Sequence, residues 1–167
     1  MGRLLGERGH TVVCGGLGGV MAAACRGARE HDAETIGLLP AGRAVDRRET
    51  AERASGNAAG RAVDRRETAE RASGNAASRR ADANEWVTTP IATGLGNARN
   101  PLVVLNGDAV IAIDGAAGTL SELGHALDYH RPVAGLDTHG VDLEGFRAVE
   151  SPRAAVEFVE ARVGDGG

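Results

Sequence analysis

The residues with the most chemical potential lie in one stretch, Asp114-Gly115-Ala116-Ala117-Gly118-Thr119-Leu120-Ser121-Glu122. Small residues let a phosphate approach the backbone. A helix N-terminus behind them supplies free N–H groups and the positive end of the helix dipole. Thr119 adds a hydroxyl and Glu122 a carboxylate. The same two residues also have the spacing of a capping box, in which both side chains only close the helix start. Spacing alone leaves the capping and ligand readings open, and the two are compatible. A second turn of this kind, Gly15-Gly16-Leu17-Gly18-Gly19, follows Thr11-Val12-Val13-Cys14. One glycine turn after a strand is weak evidence for an anion site; two in a short chain are stronger.

These turns must be held by a scaffold. Ala109–Ile113 is an apolar run without alternation, as expected of a parallel strand buried on both faces. Leu120, Leu123 and Leu127 mark one face of the helix that follows. Thr11–Cys14, Thr35–Leu39 (stopped by Pro40) and Pro132–Leu136 read as further strands of the same sheet. A helix from Val20 to about Glu30, with Val20, Ala23, Ala24 and Gly27 as a small-residue face against the sheet, completes a βαβ unit. The chain opens on the last turns of a helix stopped by Gly9. Pro101 begins a helix through Leu105, and Ser151 caps a last helix over 152–162. The expected fold is α/β: a three-layer Rossmann-like domain on a parallel sheet, one domain over residues 1–167.

Composition narrows the function. All 19 basic residues of the 167 are Arg, so neither a P-loop lysine nor a Schiff-base lysine is available. Net charge is −4 and aromatics are 2%, which disfavours phosphate-backbone binding and base stacking, so no nucleic-acid partner is expected. No apolar run of membrane-spanning length and no signal-peptide pattern is present, so no membrane partner is expected either. Cys14 and Cys25 fit no CxxC or zinc spacing and read as free thiols of a reducing cytoplasm. Glu122-x-x-His125 has the spacing of a carboxylate-bridged metal site but occurs once, so no metal is expected. His10, His31, His130 and His139 read as solvated turn residues.

Residues 42–59 (GRAVDRRETAERASGNAA) recur letter for letter as 60–77. Each copy holds four Arg and three acidic residues, and its helical face is nearly all Ala. That is too little apolar surface to dock firmly. The segment reads as an inserted, duplicated surface loop or, alternatively, an Arg-rich interaction arm, helical or flexible.

The motifs together resemble a known family. Cys14-Gly15-Gly16-Leu17-Gly18-Gly19-Val20-Met21 is similar to the GG-x-x-G-x-M turn of the Rossmann-like superfamily containing the Lonely guy proteins, also called lysine-decarboxylase-like. Asp114–Glu122 resembles that group's P-G-G-x-G-T-x-x-E motif, and Arg99 stands where the group has an Arg ahead of it. The nearest subgroup in these motifs is that of the molybdenum-cofactor carriers, distantly related to the DNA-processing protein DprA. The resemblance covers roughly residues 2–39 and 84–136.

The resemblance implies a site. Gly15, Gly16, Gly18, Gly19, Met21, Gly115, Gly118 and Thr119 would bind a phosphorylated, nucleotide-like ligand. Glu122 and Arg99 would sit at the ribose and base, where the family's enzymes cleave an N-glycosidic bond. A carboxylate and a guanidinium suit that oxocarbenium-like reaction. Two functions follow: a carrier of the molybdenum cofactor or a related phosphorylated ligand, or a phosphoribohydrolase acting on nucleoside 5′-monophosphates. Departures from the motif, Asp114-Gly115-Ala116 for Pro-Gly-Gly and Asn100 where the enzymes have Lys, lean towards the carrier. A cytoplasmic homo-oligomer, dimer or tetramer, is expected.

Family members begin with a buried strand that this sequence does not show, so an N-terminally truncated frame is the expectation. Val12-Val13 and Val110-Ile111 would flank that strand. Without it they are expected to pair directly, because unpaired buried backbone groups cost about 1–3 kcal/mol each.

Overall fold

A computed structural model describes residues 1–40 and 83–164. The tandem repeat at 42–77, with the arm expected there, lies outside the described residues.

The chain runs α1 (Gly2–Glu7), β1 (Val12–Cys14), α2 (Val20–Arg29), β2 (Thr35–Leu39) and β3 (Thr89–Ala92), then a 3-10 turn (Gly96–Arg99) and α3 (Asn100–Leu105). It continues through β4 (Val110–Ile113), α4 (Ala117–Asp128), β5 (Val133–Leu136), β6 (Phe146–Val149) and α5 (Pro152–Gly164). The expected strands all form, and all described pairings are parallel. This is the three-layer α/β arrangement that the apolar runs predict.

The sheet comes in two halves, ordered β1-β2-β3 and β4-β5-β6. Two strands escape the sequence reading, β3 and β6. Both are edge strands with exposed residues, and β3 contains Pro90, which an edge tolerates because it needs no donor there.

The second half is covered on both faces. Val104 of α3 and Leu123 and Ala126 of α4 pack with Ala112 and Val133 on one side. Ala155 and Val159 of α5 pack with Ala134 and Ile111 on the other. Leu120, expected on the apolar face of α4, is exposed.

In the first half, Gly9 at φ +77° lets the chain reverse out of α1, as a left-handed stop requires. The small-residue face of α2 meets a helix rather than the sheet. A side chain at Gly27 would collide with the Gly2–Arg3 backbone, and one at Gly6 with the Ala28 carbonyl. Val20 and Ala23 lie outside that contact and are exposed.

The expected direct pairing of the two central strands does not occur. β1 and β4 stand apart, and their facing edges border one cavity of about 1330 Å³. At one end of this slot Arg8, the C-cap of α1, pairs with Glu160 of α5, and His10 shares Glu160 at 2.7 Å. His10 is thus engaged rather than solvated. At the other end, the C-terminal edge of both half-sheets, lies the site.

Candidate functional site

β1 and β4 are first strands of their half-sheets, so the turns that follow them open at the same edge. The second turn is open to solvent from Asp114 to Gly118. Asp114 sits in the left-handed region at φ +50°, held by its own N–H to the Leu136 carbonyl (3.2 Å) and by Thr138 Oγ1 donating to its carbonyl (2.6 Å). Gly115 follows at φ +114°, with the Thr119 side chain folded over it.

The capping reading of Thr119 and Glu122 fails on geometry. α4 starts at Ala117 with Ala116 as its N-cap, and no side chain caps it. Thr119 is therefore the third helical residue, and Glu122 lies almost a turn further in. Neither side chain is used to close the helix, which leaves both for the crevice.

Glu122 turns towards Arg99. Arg99 Nη1 donates to Glu122 Oε1 at 2.8 Å, with Arg99 buried and Glu122 about a quarter exposed. Burial pushes the Glu122 carboxyl above its ordinary range, and the Arg99 charge only partly offsets this. Arg99 also reaches the first turn: a side chain at Gly15 would collide with its guanidinium and with the Met21 sulfur. One buried guanidinium thus lies against the first turn and pairs with Glu122 of α4 across the slot. Its Nε–H is buried and has no partner among the described residues. A buried donor without an acceptor is costly in a protein.

Of the predicted residues, Gly15, Met21, Arg99, Gly115, Gly118, Thr119 and Glu122 line this one cavity. Gly16, Gly18 and Gly19 do not line it. Gly16 faces Gly37 and Leu39 of β2. Gly18 and Gly19 are exposed at the start of α2. Asn84 escaped sequence reasoning, and Asn100 entered it only as a departure from the family motif. Asn84 Nδ2 donates to the carbonyls of Gly16 (3.1 Å) and Leu17 (2.9 Å), fixing the first turn from 68 residues away. Buried Asn100 donates to the Gly118 carbonyl at 3.4 Å, holding the second. A lone Asn two residues ahead of Trp86 signals at most a local turn, so Asn84 carried no long-range signal.

The chemistry on offer is anion recognition by one guanidinium, one hydroxyl and turn N–H groups, with a carboxylate beside them. Among the described residues no group of three His, Cys, Asp or Glu could hold a metal ion. No described helix is long and apolar enough to cross a membrane.

Comparison with known proteins fixes the family, since the model of the SLOG cluster4 family matches residues 1–161. The chain belongs to that family. A similar sequence is an uncharacterised protein of Archaeoglobus fulgidus, 31% identical over 158 residues, covering 95% of this chain and 80% of that one. Among solved structures, the molybdenum cofactor binding protein of Rippkaea orientalis superposes with a TM-score of 0.68 at 27% identity. It covers 97% of this chain and 83% of its own. The molybdenum cofactor carrier protein of Chlamydomonas reinhardtii gives a TM-score of 0.65 at 24% identity, over 96% of this chain and 83% of its own, which speaks for the fold.

Proposed function

We propose that this protein binds and carries a phosphorylated cofactor of the molybdenum-cofactor class in the crevice between its two glycine turns. The observation that carries the reading is Arg99: a buried guanidinium that lies against Gly15 of the first turn, donates to Glu122 of α4 and has an Nε–H without a partner among the described residues. The names of the Rippkaea and Chlamydomonas proteins supply the chemical class of the proposed ligand.

The phosphate of such a ligand would lie against the Gly115–Gly118 turn and the start of α4, where backbone N–H groups are free and no side chain crowds Gly118. Thr119 would donate its hydroxyl, and Arg99 would supply the charge. The molybdenum itself is cargo here, and its redox chemistry serves the protein that receives it.

Glu122 supports the alternative, cleavage of nucleoside 5′-monophosphates. Its carboxyl is partly buried beside a guanidinium, as a group at an N-glycosidic bond would be. One experiment separates the two. The protein is purified without oxygen, the small molecule that comes with it is identified by mass spectrometry, and the protein is then incubated with AMP. A bound phosphorylated pterin and no release of adenine supports the carrier; adenine release dependent on Glu122 replaces it with the hydrolase. We also expect a homo-oligomer, read from light scattering.

A further inference from the structure

The first turn holds a feature that anion binding does not use. Cys14 ends β1 and Cys25 lies in the middle of α2, and their Sγ atoms are 3.6 Å apart. Both are free thiols. They differ in access: Cys14 is half-buried and lines the cavity, whereas Cys25 is fully buried. They also differ in electrostatics. The Gly16 N–H donates to Cys14 Sγ at 3.3 Å, and the Arg99 charge acts in the same direction, opposed by that of Glu122. Cys14 is lowered to about 7, chiefly by its hydrogen bond with Cys25 and then by these donors, against its burial. Cys25 is raised by the same pairing and by burial. One thiol is reachable and readily ionised; its neighbour is shielded and in contact.

We propose that Cys14 and Cys25 form a reversible dithiol–disulfide site across the joint between β1 and α2, oxidised by small disulfides that enter through the cavity. The Cys14 thiolate attacks one sulfur of a small disulfide, forming a mixed disulfide and releasing one thiolate. The Cys25 sulfur then attacks Cys14 Sγ, the mixed disulfide breaks, and the second small thiolate leaves with the Cys25 proton. Two protein thiols are oxidised and one small disulfide is reduced to two thiols.

Closing the pair draws the sulfurs from 3.6 Å to about 2.05 Å. β1 is held by its ladder to β2 and Cys25 by a packed helix, and the turn that joins them has two left-handed glycines, Gly16 at φ +70° and Gly19 at φ +67°. The Gly16 N–H loses a thiolate acceptor at the same time. Oxidation therefore reshapes the first turn, on which Arg99 rests. That consequence for ligand binding depends on the carrier reading; the disulfide itself does not.

The test treats the full chain with oxidised glutathione and counts free thiols, with intact mass in parallel. The wild type should fall from two thiols to none and become two hydrogens lighter as a monomeric chain. Dithiothreitol should reverse this. Cys25→Ser should keep a single glutathionyl adduct at Cys14, because no resolving thiol remains. Cys14→Ser should stay unmodified, because Cys25 is not reachable. Amide exchange over Gly15–Gly19 should change on oxidation in the wild type alone. A wild type that retains two thiols, holds a stable adduct or cross-links between chains overturns the proposal. AMP binding by the reduced form is measured alongside. Its absence counts against a phosphate site in the crevice, on which the proposed function rests, without touching the thiol result.

Discussion

The two halves of the molecule share a plan: three parallel strands, with a glycine turn after the first. They use their glycines differently. In the first half, Gly15 and Gly16 are buried against Arg99, Met21, Leu39 and Gly37, and a Cβ at either would overlap a neighbour. In the second half, Gly115–Gly118 is exposed, and a Cβ at Gly118 would meet only the Asn100 amide at 3.9 Å. In the first turn protein packs on Gly15 and Gly16, while Gly18 and Gly19 are exposed; in the second, Gly118 is open, and Gly115 at φ +114° lies under the Thr119 side chain. Similar-looking motifs can thus hold glycine for different reasons, close packing at one position and open space at another, and only burial tells them apart.

Arg99 connects the halves, so its removal should have the largest effect. Arg99→Ala leaves the half-buried Glu122 carboxylate without its partner, a change of about 3 kcal/mol when a pair is broken this way. The melting temperature should fall, and binding of a phosphate monoester should be lost. Adding Glu122→Gln should restore part of the stability and none of the binding. If the double variant is no more stable than Arg99→Ala, the pair does not bridge the halves as described.

The glycines come next. Gly16→Ala forces a side chain into a left-handed position against Leu39 and should cost about 1–3 kcal/mol in thermal unfolding. Gly118→Ala should leave the melting temperature nearly unchanged while weakening ligand binding in calorimetry. Equal destabilisation by both would erase the distinction between the turns. Thr119→Val then sharpens the role of the open turn. Because Thr119 caps nothing, stability should hold, while phosphate binding should weaken by about 1–2 kcal/mol, the scale of a hydrogen bond to a charged group.

Much of this was legible in the sequence, for a stated reason. β1, β2, β4 and β5 are apolar runs, and burial on both faces leaves such runs behind. β3 and β6 were not legible, since an edge strand with Pro90 or Arg147 has no continuous pattern. The two glycine turns were visible, but not which glycines face the crevice, because Gly16 is turned away by packing that involves β2. Arg99 had no local signature and entered through family resemblance alone. The slot between β1 and β4 was anticipated as a gap, yet closure by direct pairing was the wrong resolution. Each half-sheet is instead pinned by its own helices and by ion pairs at α1 and α5. The open edges can be measured. Val110 N–H bonds to the Pro132 carbonyl and Asp114 N–H to that of Leu136. Alternation in a parallel strand therefore turns the amides of Ile111 and Ile113 to the slot. They should exchange at least about tenfold faster than Val110 and Ala112, a local difference of about 1.4 kcal/mol.

The smallest effect discriminates most finely, because it isolates one proton. Glu122 faces any anion bound at Thr119 and Arg99, and burial holds its carboxyl above the ordinary range. Above that raised value the carboxylate is charged, repels a phosphate and engages Arg99. As the pH falls through it, Glu122 takes up a proton, the repulsion ends and Arg99 is freed for the ligand. The folded state then binds this proton more tightly than the unfolded chain, so Glu122 favours folding below the ordinary carboxylate range and ceases to as pH rises through the raised value. Affinity for a phosphate monoester should therefore rise a few-fold, under about 1 kcal/mol at a partly exposed site, as pH falls across this window. In Glu122→Gln that rise should vanish, leaving only the titration of the ligand, and binding near neutral pH should be at least as tight as in the wild type. If the variant instead binds more weakly at every pH, the carboxylate contacts the ligand directly as an acceptor, and Glu122 belongs to the ligand's ribose or pterin rather than to the electrostatic setting of Arg99.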